Sequence, residues 1–159
     1  MSAFIECNNG IINLGNVSNI GFIENKNRVI FNFNYSIPLP KKNIQDEEKI
    51  VADYKYADFS TQENFEEFVI MLGHKAEELN FIMSRDEGTL LDRHWINPLH
   101  ISFVGTDEPK NRIIFNMTNQ TNKMIGGKNK IINDFIFWDV GSKEQFKSNI
   151  SMIYNTLID

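Results

Sequence analysis

The chain has 159 residues, 42% hydrophobic and 23% charged with thirteen Phe, which supplies a real core and excludes wholesale disorder. Its formal net charge is −5, which excludes a surface built all over to grip nucleic acid. The charge is uneven: residues 1–80 hold seven Lys and Arg against twelve Asp and Glu, while 81–159 hold nine against nine, so a polyanion would favour the second half.

In chain order, Met1-Ser2-Ala3-Phe4-Ile5-Glu6 has no basic stretch and no long apolar run, so no signal peptide is expected. Phe4 to Cys7, a turn at Asn9-Gly10, and Ile11 to Leu14 read as a strand, a hairpin turn and a second strand. Cys7 is the only Cys, so no internal disulfide forms and a reducing, intracellular (cytoplasmic) setting is expected. Asn25-Lys26-Asn27 makes a tight turn between Ile20–Ile23 and Arg28–Tyr35. The strand after it alternates, with Val29, Phe31, Phe33 and Tyr35 on one face and Arg28, Ile30, Asn32 and Asn34 on the other. A polar loop holding Pro38, Pro40, Lys41 and Lys42 leads to a further strand from Lys49 to Ala57. Ser60 and Glu63 have capping-box spacing and open a helix with Phe65, Phe68, Val69 and Leu72 along one stripe. Residues 73–80 join the halves or prolong that helix, with Gly73 as its weak point.

The same order then recurs. Lys110-Asn111-Arg112-Ile113-Ile114-Phe115-Asn116-Met117 repeats Lys26-Asn27-Arg28-Val29-Ile30-Phe31-Asn32-Phe33 with six of eight positions identical. Upstream, Asn19–Ile23 aligns with His100–Val104, which puts three extra residues in the second turn. Phe4-Ile5 ahead of Gly10-Ile11 parallels Phe81-Ile82 ahead of Gly88-Thr89, and Asp53–Asp58 parallels Asp134–Asp139. Ser142 and Gln145 cap a last helix, with Phe146, Ile150, Ile153 and Leu157 as its stripe. The expected fold is therefore α+β: two tandem ββββα repeats, residues 1–80 and 81–159, each an antiparallel four-stranded meander with one C-terminal helix. A single such unit buries one face only, so the two are expected to cover each other as a pseudo-two-fold dimer.

Tandem strand-strand-strand-strand-helix units resemble the Whirly and PUR families. The resemblance is one of element order over the whole chain, and no residue role is carried over from it. It implies paired modules that bind single-stranded DNA or RNA.

Few groups point to chemistry. His74, His94 and His100 lack the spacing of a zinc site, and no metal or cofactor is expected. A nucleophile pair of Cys7 with a His would need the fold to unite them. Asp53, Asp58, Asp134 and Asp139 recur at the ends of matching strands, where carboxylates serve acid–base work or, ahead of a helix, turn and dipole roles. Gly126-Gly127-Lys128 lacks the full phosphate-loop spacing and reads as a flexible turn within a basic loop of Lys123, Lys128 and Lys130. If Phe31, Phe33, Tyr54 and Tyr56 lie under the helix, the outward face carries Arg28, Ile30, Asn32, Asp53, Lys55 and Ala57. In the second repeat it carries Arg112, Ile114, Asn116, Asp134, Ile136 and Trp138. The candidate binding face is thus Arg28, Asn32, Lys55, Arg112, Asn116 and Trp138. Arg beside an aromatic suits a protein interface or a stacked base. The sequence favours a non-catalytic interaction or assembly module that binds another protein or itself, with single-stranded nucleic acid as the alternative and no membrane partner, since no run of about 18 apolar residues occurs.

Overall fold

A computed structural model describes residues 2–7, 10–83 and 94–158. The elements are β1 (Phe4–Cys7), β2 (Gly10–Asn13), β3 (Val17–Ile23), β4 (Arg28–Pro38), β5 (Ile50–Asp58), α1 (Gln62–Glu78), β6 (Trp95–Ile96), β7 (Ile101–Asp107), β8 (Arg112–Ile125), β9 (Lys128–Asp139) and α2 (Lys143–Ile158). The protein is α+β with antiparallel sheets: β1-β2, β5-β4-β3-β6 and β7-β8-β9. Asn9 of the first hairpin and Gly88-Thr89 lie outside the described residues.

Two expectations about the strands need correction. Five strands, not four, precede α1, because the 3-10 turn Leu14–Asn16 separates β2 from β3, with the Asn13 side chain accepting from the Gly15 N–H. The hairpin β1–β2 therefore forms its own sheet, and the four-stranded sheet takes β6 from the second half as its edge. A matching 3-10 turn, Pro98–His100, precedes β7. These turns also reset the alignment of the halves. Val17–Ile23 stands where Ile101–Asp107 stands: both strands are bulged near their starts, at Val17/Asn19 and Ile101/Phe103. Ser18 and Ser102 donate to the carbonyls of Asn32 and Asn116 at 3.1 and 3.0 Å. Both strands then end in a 3-10 turn closed by a left-handed Asn, Asn27 at φ 48° and Asn111 at φ 49°, a conformation that Asn tolerates better than most residues. No extra residues sit in the second turn.

The N-cap of α1 is Thr61, not Ser60: its Oγ1 accepts from the Asn64 N–H at 3.1 Å. Ser142 caps α2 in the same way through the Gln145 N–H. Helix α1 runs unbroken past Gly73 to Glu78.

Among the described residues there are two apolar clusters. The first unites Ile5, Ile12, Leu14, Ile20, Val29 and Phe31 with the α1 stripe, and it also receives Phe81 and Trp95 from beyond α1. The second unites Ile82, Ile96, Ile113, Phe115, Met117 and Trp138 with Phe146 and Ile153 of α2, and contains nothing from the first half. A two-fold pair would exchange equal contacts. This contact runs one way, so the expected pseudo-two-fold packing does not describe it. Beyond it, β8 lies against β4 and β5, where Ser36 Oγ donates to the Gln120 carbonyl and the Ile50 N–H to Asn122 Oδ1.

Candidate binding surfaces

Cross-strand partners share a sheet face, so register fixes what the outer faces carry. Arg28, Ile30 and Asn32 pair with Asp58, Tyr56 and Tyr54, whereas Val29 and Phe31 pair with Ala57 and Lys55. Since Val29, Phe31 and Ala57 are fully buried, Tyr54 and Tyr56 belong to the outer face, and Lys55 and Ala57 to the helix side. The second half agrees: Arg112, Ile114 and Asn116 pair with Asp139, Phe137 and Phe135. Trp138 pairs with Ile113 and is 6% exposed in the second core. Of the expected face, Arg28, Asn32, Arg112 and Asn116 are brought together on outer surfaces, while Lys55 and Trp138 are not among them. The missed residues are Tyr54, Tyr56, Phe135 and Phe137.

Each outer face is a ladder. Arg28 grips Asp58 through Nε at 2.5 Å and Nη2 at 3.0 Å, and its guanidinium lies 4.2 Å from the centre of the Tyr56 ring, which packs on Tyr54 at 5.0 Å. Arg112 grips Asp139 at 2.5 and 3.1 Å over Phe137 at 4.3 Å, and Phe137 packs on Phe135 at 4.9 Å. The fork geometry makes these charge-assisted bonds directional. The bond from Arg28 holds the Asp58 carboxyl below its ordinary pKa, and both guanidiniums are raised by their carboxylate bonds. These two aspartates thus serve as structural counter-ions. The other two bond to the chain: Asp53 accepts from the Tyr54 N–H, and Asp134 from the Phe135 N–H.

The basic loop is a β-hairpin. Gly126 and Gly127, at φ 59° and 76°, close β8 onto β9, positive angles that a two-residue hairpin turn requires. Lys123 pairs with Asp134 at 3.2 Å and lies 4.7 Å from the Phe135 ring centre, so its charge is already engaged. Lys128 and Lys130 are exposed on β9.

Two of the three histidines, His94 and His100, hold the halves together. His100 Nε2 donates to the Gly15 carbonyl at 2.7 Å, which leaves Nδ1 to accept from Asn34. His94 Nδ1 meets Asn19 Oδ1 at 3.1 Å, within a network in which Asn32 donates to Asn19 and Asn19 to Ser18. His94 is exposed as a residue, yet the protein packed around its ring lowers its pKa against the opposing pull of Asp134. His74 shares a cavity of about 660 Å³ with Cys7 between β1 and α1. Burial raises the Cys7 pKa, the reverse of what an activated thiolate needs. No group of three His, Cys, Asp or Glu able to hold a metal ion occurs among the described residues.

An apolar cavity of about 500 Å³ lies between β7 and α2 and is lined by Ile101, Phe103, Val104, Ile150, Ile153, Tyr154, Leu157 and Ile158 among others. Phe103, Tyr154 and Ile158 are 63%, 62% and 61% exposed. In α1 the residues Phe65, Phe68, Val69, Leu72 and Ala76 are buried, but in α2 only Phe146 and Ile153 are. Sequence reading missed this groove because the expected stripe is present but covered only in part, with Ile150 half-buried and Leu157 exposed.

No helix among the described residues is long and apolar enough to cross a membrane. Comparison with protein-family models, with curated proteins and with solved structures gives no match in any of the three.

Proposed function

We propose that the chain is a tandem duplication, residues 1–80 and 81–159, of an antiparallel unit closed by a C-terminal helix, serving as a non-catalytic assembly module that binds another protein or itself. The observation that carries this reading is the groove between β7 and α2, where an apolar helix face meets a strand hydrogen-bonded on one side only among the described residues. An unpaired strand edge beside apolar pockets is the arrangement that accepts an added strand from a partner. Exposed apolar surface of this kind marks interaction sites more often than chance packing. A protonated Cys7 and arginine-locked Asp58 and Asp139 support a role without catalysis.

A second reading, single-stranded DNA or RNA, draws on the Whirly- and PUR-like element order and on the half-exposed rings of Tyr54, Tyr56 and Phe137. Such rings offer base-stacking platforms. Against it, Arg28, Arg112 and Lys123 are already paired with carboxylates, while phosphate contacts dominate that kind of binding.

Titration with a labelled single-stranded oligonucleotide at low and moderate salt separates the two. The assembly reading expects no salt-dependent binding, together with bis-ANS fluorescence that drops in Phe103→Asp. Salt-dependent binding that is lost in the Tyr56→Ala/Phe137→Ala double variant would put nucleic acid in its place.

A further inference from the structure

We propose that the groove between β7 and α2 is filled by the N-terminal hairpin, β1–β2, of a second copy of this chain, so that copies join head to tail. This rests on the assembly reading above and names its partner.

The chain already contains one such joint. Ile82 and Ile96 form an antiparallel bridge, as Ile5 and Ile12 pair in β1–β2. In both cases this Ile pair is buried in the core of its own half. The other faces differ. Phe81 and Trp95 are 6% and 1% exposed because they plug the first half's core, whereas the matching Phe4 and Ile11 are 56% and 72% exposed. One strand pair has a socket and the other lacks one.

The sockets match as well. Strand β3 receives Trp95 opposite Ile20 and Ile96 opposite Asn19. By the correspondence of the 3-10 turns and bulges, β7 offers Val104 and Phe103 at those places, so Ile11 would lie opposite Val104 and Ile12 opposite Phe103. Trp95 fits against α1 because Gly73 has no side chain: a Cβ there would come within 3.4 Å of the indole. Counting from the caps Thr61 and Ser142, α2 carries Tyr154 at the Gly73 position. The larger helix residue thus faces the smaller plug, Ile11 in place of Trp95. Volume is exchanged across the joint rather than added, which packing tolerates best.

The hydrogen bonds repeat the pattern. Asn97 accepts from the Leu99 N–H with its Oδ1, then donates through Nδ2 to the carbonyls of Leu14 and Val17 at 3.3 and 2.9 Å. Its backbone N–H donates to the Ser18 carbonyl at 2.9 Å. Asn13 is held by the same Oδ1 bond, from Gly15 at 3.0 Å, and its Nδ2 has no acceptor among the described residues. In the next copy the equivalent acceptors are the carbonyls of Pro98, Ile101 and Ser102. Plug and socket occupy different parts of the surface, so the contact is heterologous and propagates into rows or closes into rings.

The test is complementation in sedimentation velocity. Ile11→Asp spoils the plug and keeps the socket; Phe103→Asp spoils the socket and keeps the plug. Both positions are largely exposed, and circular dichroism checks that each variant folds. Wild type should assemble with rising concentration and each variant alone should stay monomeric. Their mixture should give a capped one-to-one dimer that grows no further. A wild type that is monomeric throughout, a variant that still assembles alone, or a mixture that stays monomeric would overturn the proposal. Any of these would leave the oligonucleotide test of the broader reading untouched.

Discussion

The two halves share turns, caps and an Arg–Asp–aromatic ladder, yet they end in different states. The first half has its strand edge paired by β6 and the α1 stripe buried over its length. Among the described residues the second has β7 open on one side, and of the α2 stripe Phe146 and Ile153 are buried while Leu157 is 39% exposed. Equal local structure with unequal cover teaches that the cover, not the local sequence, decides what each half contributes to stability and what it leaves for a partner.

The comparison breaks most sharply at the plug residues. Trp95→Ala should cost about 3–5 kcal/mol, the range for emptying a large aromatic site in a core. The matching Ile11→Ala should stay within about 0.5 kcal/mol in dilute solution, as exposed sites do. Denaturant unfolding measures both, and comparable losses would mean that the two strand pairs are equally covered.

A second contrast lies at Asn119, which is 3% exposed with no partner among the described residues for either side-chain polar atom; counted from the Lys-Asn-Arg turns, the first half has the exposed Tyr35 there. Burying an unsatisfied amide costs about 1–3 kcal/mol, so Asn119→Leu should raise the melting temperature. A lowered one would mean that the amide is satisfied by solvent.

The polar seam gives a smaller effect, with pH as its handle. His94 has a lowered pKa in the folded protein, so the unfolded chain binds the proton more readily and stability falls as pH drops below the ordinary histidine range. His94→Gln should flatten that part of the stability curve. An unchanged slope would assign it to other groups. Smallest of all, Arg28→Ala and Arg112→Ala should each lower stability only slightly, since the pairs are surface-exposed, and equally in the two halves. A large difference between them would show that one ladder is buried by something in solution.

Much of this was legible in the sequence, for identifiable reasons. The Lys-Asn-Arg anchors are visible because one residue closes a left-handed turn and the next begins a strand whose Arg must meet an Asp across the sheet. The helix stripe Phe65, Phe68, Val69 and Leu72 follows from period alone. The register of β3 and β7 was not legible, because the short 3-10 turns ahead of them carry no Gly or Pro pattern in common: Leu14-Gly15-Asn16 stands opposite Pro98-Leu99-His100. The facing of β5 and β9 failed for another reason. Phe135-Ile136-Phe137-Trp138 is apolar on both faces, so alternation is silent, and Tyr54 and Tyr56 suit either side. Only pairing with β4 and β8 decides. The one-way joint between halves is a long-range contact that no local pattern encodes.

Hydrogen–deuterium exchange on β3 and β7 tests the central claim most directly. If the second half holds an empty copy of the first half's socket, the β7 amides that point away from β8 should exchange fast in dilute protein and slow markedly as concentration rises. The corresponding β3 amides, covered by β6, should stay slow throughout. Protection of β7 equal to that of β3 and independent of concentration would contradict the account.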